Sequence, residues 1–226
     1  MANKTFVKRA LQSLSPMVSE ARRSKIASVV PSRTRSFGIL LENVHDKGNE
    51  NAVARTMDAF GVLCMHRLTT VPPVANEKVE RIRTDAGAKQ WLEILDWSNL
   101  EDCVHMLKDN GYMIASTSPN CSLDIVDIDF SKKMVVAFGN EQKGISEGLA
   151  KFSDLQFSLP MKGFVESFNV SVCVAITLYH AYCHRIGKMG LNGCLTEEEQ
   201  DTLTLSYYMK SLGITEQNIH HYFNKP

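Results

Sequence analysis

The sequence lacks the features that mark membrane, secreted and metal-binding proteins. No apolar run approaches the roughly 20 residues that a membrane-spanning helix needs. The first residues, MANKTFVKRALQ, have no apolar core of signal-peptide type. The six cysteines include no C-x-x-C pair and have no histidine at metal-ligand spacing. We therefore expect no membrane span and no metal site, and the cysteines are interpreted as reduced thiols of a cytoplasmic protein.

Internal repeats and low-complexity linkers are also missing from the body of the chain. Hydrophobic residues make up 44% and charged residues 22% of the 226 residues, which is the balance of an ordinary globular protein. A chain of this length forms one large domain, or one domain with extensions.

Acidic side chains are scarce at the start of the chain. Residues 1–36 carry eight basic side chains against a single acid, Glu20, so this segment is about +7 and the remainder is −7. A basic arm on an acidic body predicts contact with a polyanion such as RNA. The basic residues predicted to contact RNA are Arg22, Arg23, Lys25, Arg33 and Arg35.

Two other interpretations of residues 1–36 remain open at this stage. The arm is also compatible with a solvated, partly disordered tail. Its serines, arginines and near-absence of acids also resemble an organelle transit peptide. The helical spacing of its apolar residues suits either an RNA-binding helix or such a peptide, so an organelle remains the alternative to the cytoplasm.

Strand and helix patterns alternate through the rest of the chain, which predicts an α/β fold: a mostly parallel sheet with helices on both faces. The predicted strands are Ser36–Asn43, Val62–Leu68, Tyr112–Ser116, Met134–Phe138 and Leu155–Leu159. The predicted helices are Asn49–Phe60 with Asn49 as its N-cap, Asn76–Leu95, Leu100–Asn110, Glu166–Ile186 and Thr196–Leu212 with a Thr196/Glu199 capping box.

Three polar segments follow strand patterns in a way that predicts a ligand site. Phe138–Gly148 (FGNEQKGISEG) and Leu159–Val172 (LPMKGFVESFNVSV) both place glycine and short polar residues after an apolar run, where backbone amides become free to bind a ligand. The first is neither a Walker loop nor a G-x-G-x-x-G fingerprint. In the second, Ser167 and Asn169 offer more short polar groups than helix capping needs, and these can orient a substrate hydroxyl.

With Asn49–Arg55 (NENAVAR) upstream, these segments resemble the TrmH (SpoU) family of ribose 2′-O-methyltransferases in the SPOUT superfamily. The resemblance covers Phe37–Ile186, and the Leu195–Gln200 stretch (LTEEEQ) is similar to the tRNA-specific branch. It implies a C-terminal trefoil knot in the α/β sheet domain, S-adenosylmethionine as cofactor, a homodimer, and methylation of guanosine-18 in the D-loop of tRNA. An rRNA ribose 2′-O-methyltransferase and a non-catalytic RNA-binding SPOUT protein are the alternatives.

The resemblance also implies roles for residues at matching positions. The catalytic set is Arg55, Asn49, Glu141, Ser167 and Asn169. The residues expected to enclose the cofactor are Ser116, Gly139, Asn140, Gly144, Leu159, Met161 and Phe168, the last replacing a more usual leucine. For Arg55 we expect a bidentate phosphate contact, because a guanidinium stays protonated and is therefore a poor base; an ion pair with Asp58 is the structural alternative. Glu141 has a surface-loop alternative.

The predicted organisation has three parts. Residues 1–36 form the basic arm, 37–190 the methyltransferase domain and 191–226 a C-terminal helical extension. The basic tail of some family members is replaced here by ITEQNIHHYFNKP, so the tRNA contacts of that tail are not carried over to this chain.

Overall fold

The computed structural model describes residues 4–72, 87–119, 121–140, 142–215 and 219. They fall into two units, a larger one formed by Arg35–Asn192 and a smaller one formed by Met1–Thr34 together with Gly193–Pro226.

A six-stranded sheet organises the larger unit. Its strands are β1 (Thr34–Glu42), β2 (Val62–Leu68), β3 (Glu93–Trp97), β4 (Met113–Thr117), β5 (Met134–Phe138) and β6 (Leu155–Phe157). They lie in the order β3-β2-β1-β5-β4-β6. Parallel pairings join β1 to β5, β2 to β3, and β4 to both β5 and β6. The segments that follow β1, β4, β5 and β6 therefore leave the sheet on the same side, where these strands have their carboxyl ends. We call this side the carboxyl edge of the sheet.

The helices of the larger unit pack on both faces of this sheet. They are α3 (Lys47–Ala59), α4 (Leu100–Asp109), α5 (Glu147–Phe152) and α6 (Val170–Met189). The smaller unit contains α1 (Lys4–Leu14), α2 (Glu20–Val29) and α7 (Glu197–Leu212). Alternate residues of β1 enter different cores: Phe37 and Ile39 belong to the core that includes residues of α3 and α6, whereas Leu40 packs with residues of α4 and α5. Such two-sided burial explains the continuous apolar run of β1. The predicted mostly parallel α/β fold is confirmed.

The structure corrects three predicted elements. Asn49 is not an N-cap: Asp46 caps α3 by accepting from the backbone amide of Asn49, so Asn49 lies inside the first turn. The helix predicted from Glu166 begins at Val170, where Asn169 caps it. Within the helix predicted over residues 76–95, the part up to residue 86 lies outside the described residues, and Glu93–Trp97 is the edge strand β3.

In the smaller unit, α1 and α2 pack with α7. Val7, Ala10 and Leu14 of α1 are fully or almost fully buried, as is Leu203 of α7. The predicted capping box is present, because the Thr196 and Glu199 side chains each accept from the other's backbone amide. The basic arm therefore contains two helices whose apolar residues belong to a packed core.

Among the helices that the structure describes, none combines the length and the apolar character needed to cross a membrane.

Candidate functional site

Two of the three polar segments meet through a pair of asparagines. Asn169, at the start of α6, donates from Nδ2 to Oδ1 of Asn49 on α3 at 3.0 Å. Its own Oδ1 accepts from the backbone amide and hydroxyl of Ser171 at 2.9 and 2.6 Å. One side chain therefore caps α6 and ties it to α3 across 120 residues of sequence. Because Asp46 caps α3 instead, the Asn49 side chain is available for this contact.

The third segment forms a tight loop after β5. Asn140 Oδ1 accepts from the backbone amides of Gln142 and Lys143, and the Asn140 carbonyl accepts from Gly144 N at 2.7 Å. A Cβ at Gly139 would lie 2.0 Å from the carbonyl carbon of Gly144, and Gly144 itself has φ 67°. Both glycines are therefore required by the loop. Glu141 lies outside the described residues, so its role stays a prediction.

Ser116 lies near the end of β4 in this same region of the sheet. Its side chain is 1% exposed, and its Oγ has no hydrogen-bond partner among the described residues. Leu159 and Met161, which follow β6, are half-buried, and Phe168 is 36% exposed. A buried polar atom that forms no hydrogen bond within the described protein, together with accessible apolar side chains, is typical of a small-molecule site.

Arg55 and Ser167 are both exposed. Arg55 lies on α3, the helix that carries Asn49, and it forms no ion pair with Asp58 or with another described carboxylate. The structural alternative for Arg55 is therefore not realised here. Its guanidinium remains accessible to an external anion.

A family model described as the SpoU rRNA Methylase family matches residues 36–179. The chain belongs to this family. The family predicted from the three segments is thus confirmed, and the match includes both Asn49 and Asn169.

Several relatives of this SpoU chain are named tRNA (guanosine(18)-2'-O)-methyltransferase. That of Borreliella burgdorferi is 30% identical over 196 residues, covering 86% of this chain and 88% of the relative. That of Thermus thermophilus is 35% identical over 176 residues, with coverages of 76% and 87%.

Solved structures agree with the SpoU assignment. The Aquifex aeolicus TrmH/SpoU tRNA modifying enzyme superposes with a TM-score of 0.74 at 28% identity, covering 84% of this chain and 96% of that one. The AdoMet-bound rRNA methyltransferase of Sinorhizobium meliloti gives a TM-score of 0.59 at 28% identity, with coverages of 70% and 60%.

The basic residues predicted to contact RNA differ in accessibility. Arg22 and Lys25 on α2 are exposed, and Arg23 is half-buried, with its guanidinium donating to the Ser15 carbonyl at 2.7 Å. Arg33, by contrast, is 3% exposed and lies over the Tyr207 ring. Arg35 forms a bidentate pair with Glu93. Positive charge in the sequence did not reveal that Arg33 is buried and that Arg35 is paired with Glu93. The predicted RNA-contacting residues that lie on α2 are Arg22, Arg23 and Lys25.

Next to Asn49, the SpoU sequence places a carboxylate that sequence reasoning missed. Glu50 is 1% exposed, and its two oxygens accept from Lys47 at 2.8 Å, Arg67 at 2.6 Å and Lys89 at 2.7 Å. Burial by itself would raise the pKa of Glu50, but the hydrogen bonds from Lys47 and Lys89 and the charge of Arg67 outweigh it and lower the pKa to about 2. The cluster anchors the first turn of α3, which carries Asn49, to β2 and to the 3₁₀ turn Ala88–Trp91.

No group of three or more histidine, cysteine, aspartate or glutamate side chains suited to a metal ion occurs within the ranges that the structure covers.

We predict that Glu50→Gln destabilises the protein by about 3 kcal/mol at pH 7, because it leaves cations next to a neutral buried group. The native pKa of about 2 lies below the ordinary 4.5, so the carboxylate stabilises the fold above pH 4.5 and loses this effect as the pH falls towards 2. Urea unfolding of wild type and variant should therefore give a difference that is largest at neutral pH and shrinks below pH 4.5.

The control for this experiment is Glu101→Gln, which neutralises an exposed carboxylate in the first turn of α4. We expect a change of at most about 0.5 kcal/mol for it. Equal stability of Glu50→Gln and wild type at pH 7 would show that the cluster does not hold α3.

Proposed function

We propose that this protein transfers the methyl group of S-adenosylmethionine to the ribose 2′-hydroxyl of guanosine-18 in tRNA. The observation that carries the proposal is the hydrogen bond between Asn49 and Asn169, because this bond joins the polar groups of two family segments. The helix that contains Asn49 also carries the exposed Arg55. The relatives named tRNA (guanosine(18)-2'-O)-methyltransferase, which align over most of the chain, support this substrate.

The residues at the carboxyl edge of the sheet fit the proposed cofactor. The unpartnered Ser116 hydroxyl is suited to a polar group of the ligand, and Leu159, Met161 and Phe168 are suited to the adenine ring. The loop that contains Gly139, Asn140 and Gly144 would supply backbone groups. The AdoMet-bound relative from Sinorhizobium meliloti, at 28% identity, supports the assignment.

The chemistry divides between the cofactor and the chain. When bound, the cofactor supplies an electrophilic methyl group on a sulfonium. Arg55 holds the phosphate beside the target ribose by a bidentate contact and stabilises the negative charge that develops on the attacking oxygen. Asn49, Asn169 and Ser167 orient the ribose, because positioning is a large part of the catalysis of a displacement reaction. Glu141 keeps its predicted catalytic role.

An rRNA substrate is the second candidate, since the matching family model is described as a family of rRNA methylases. A non-catalytic RNA-binding protein is the third, but such a protein would have no use for the buried Ser116 hydroxyl and the apolar side chains that fit the cofactor.

The two ends of the chain are proposed to form one RNA-binding unit attached to the methyltransferase domain of residues 37–190. Arg22, Arg23 and Lys25 supply its basic surface on α2. We favour a retained arm over a cleaved transit peptide, because cleavage would remove Val7, Ala10 and Leu14 from the core that α1 shares with α7. The cytoplasmic location stays a prediction.

The trefoil knot is likewise a proposal, supported by the path of the chain after β6. This segment runs from the edge strand β6 to Asn169, which contacts Asn49 on α3, the helix that follows β1. Because β5 and β4 lie between β1 and β6 in the sheet, the segment crosses the ends of these two strands. The segment after β4 lies along it, with Ile125 N donating to the Ser158 carbonyl and Ser158 N to the Leu123 carbonyl. An experimental structure in which residues 159–169 pass outside the segments that follow β4 and β5 would contradict the knot.

The homodimer is supported by an apolar stripe on α6. Val172, Tyr179 and Ile186 recur every seven residues and are 43%, 62% and 40% exposed, so they lie on one side of the helix. A second copy of the chain would cover this side. We propose that two α6 helices pack together through the stripe.

We predict that the purified protein incorporates labelled methyl from S-adenosylmethionine into unmodified tRNA, at guanosine-18. Arg55→Ala should lower kcat by about 100- to 1000-fold while the cofactor affinity stays unchanged, because Arg55 is assigned to the RNA. The rate of label incorporation measures kcat, and calorimetry measures the affinity for the cofactor. Mass-spectrometric mapping identifies the methylated nucleotide.

Lys132→Ala, which removes an exposed cation from the turn before β5, serves as the control for Arg55→Ala. Methylation of rRNA but not tRNA would favour the second candidate. Cofactor binding without transfer to either RNA would overturn the enzymatic proposal.

We predict that the double variant Arg22→Ala/Lys25→Ala binds tRNA more weakly. The slope of log affinity against log salt should decrease by about two, since two phosphate contacts are lost. Filter binding over a range of salt concentrations measures this slope, and Lys132→Ala/Lys151→Ala, on the larger unit, is the charge-matched control. An unchanged slope in the α2 variant would remove the basic arm from the RNA interface.

We predict that wild-type protein has twice the 25.3 kDa mass of the chain in light scattering and that Ile186→Asp shifts it towards the monomer, because a buried, unpaired carboxylate opposes association. Val126→Asp changes an apolar side chain that is 65% exposed elsewhere and should leave the mass unchanged. A monomeric wild type would refute the dimer.

A further inference from the structure

Glu42, the last residue of β1, is a buried carboxylate that forms no ion pair with a described cation. It is 1% exposed and follows the apolar residues Leu40 and Leu41. Both of its oxygens accept from one residue, Oε2 from the backbone amide of Ser146 at 2.8 Å and Oε1 from the Ser146 hydroxyl at 2.6 Å. Within the described part of the chain no lysine or arginine pairs with it. Burying a carboxylate is costly in free energy unless hydrogen bonds compensate for the lost water. The two bonds from Ser146 provide this compensation, so Glu42 and Ser146 depend on each other.

Ser146 ends the loop of the proposed cofactor site. Besides its two bonds to Glu42, its Oγ accepts from Leu149 N at 3.2 Å and caps α5. The beginning of the same loop lies next to Glu42, because β1 and β5 pair with Leu41 opposite Phe138. Glu42 therefore reaches along the carboxyl edge of the sheet to fix the far end of the loop.

Asn43, the next residue, holds the near end. Its carbonyl accepts from Nδ2 of Asn140 at 3.1 Å, and its own side chain accepts from the backbone amides of Thr70 and Val71 at 2.9 and 3.0 Å. Asn43 has φ 53°, the only positive value outside glycine among the described residues. A strained backbone with this many contacts is held in place by its surroundings.

We propose that Glu42 and Asn43 form a clasp that fixes residues 139–140 and 142–146 of this loop in the conformation that binds the cofactor, and that Glu42 is a positioning residue of this enzyme. The inference rests on the proposed function for the identity of the ligand. Ordering a loop costs conformational entropy at each residue. A loop that is held before the ligand arrives avoids that cost at the moment of binding.

The test is Glu42→Gln. The carboxamide keeps an acceptor for the Ser146 amide, but its NH₂ group can only donate to Ser146 Oγ, so a weaker neutral bond replaces the charge-assisted bond from the hydroxyl. We expect the affinity for S-adenosylmethionine, measured by calorimetry, to fall by at least about tenfold. Backbone amides of residues 142–146 should exchange hydrogen faster in the absence of cofactor. At saturating cofactor, kcat should fall by less than the affinity does, because the bound cofactor then holds the loop.

Asp154→Asn is the control. Asp154 is an exposed carboxylate at the amino end of the strands of the same sheet, where its Oδ2 accepts from Ile114 N at 2.7 Å and pairs with Lys108. This variant should lose stability without losing cofactor affinity. Ser146→Ala keeps the backbone bond to Glu42 and should have an intermediate effect that Ser146→Thr restores; this pair also serves if Glu42→Gln does not fold.

Wild-type cofactor affinity and unchanged amide exchange in Glu42→Gln would overturn the clasp. An equal loss of affinity in Asp154→Asn would also overturn it, since the effect would then be one of general stability. If wild type itself binds no S-adenosylmethionine, the proposed function fails. Faster exchange of residues 142–146 in Glu42→Gln would still support the clasp as a device that holds the loop.

Discussion

Parallel pairing of β1, β5, β4 and β6 is the constraint on which the candidate site depends. It brings the ends of four strands to one edge of the sheet, so that short polar segments far apart in sequence become neighbours. The Asn49–Asn169 bond then joins two helices that begin at this edge. Without that alignment the same residues would form separate helix caps and turns, and they would not share one site.

Much of the fold could be predicted from local pattern. Val62–Leu68 and Met134–Phe138 are strands with the predicted bounds, because both are apolar runs that are almost wholly buried. Glu93–Trp97 escaped prediction because it is an edge strand whose side chains are partly exposed, and so it has no apolar run. The start of α3 was misplaced because Asp46 and Asn49 are both good caps, and a sequence does not say which of two caps will be used.

The three polar segments were predicted from their order and spacing together with the family resemblance. The contacts that hold them were not. Glu42 and Ser146 are 104 residues apart, and Glu50 meets Arg67 and Lys89 on other elements. Each residue looks unremarkable in its own segment, and only the folded chain brings it to its partner. The same limit applies to Arg33, whose charge predicted exposure while its guanidinium lies over Tyr207.

The smaller unit draws its helices from opposite ends of the chain, and this has a consequence for biosynthesis. While the ribosome is still at work, Val7, Ala10 and Leu14 have no α7 to cover them. At typical elongation rates the interval until residues 197–212 are made is roughly ten to forty seconds. During that time a basic, amphipathic segment waits in the crowded cell, and such a segment is a natural target for chaperones that guard nascent chains.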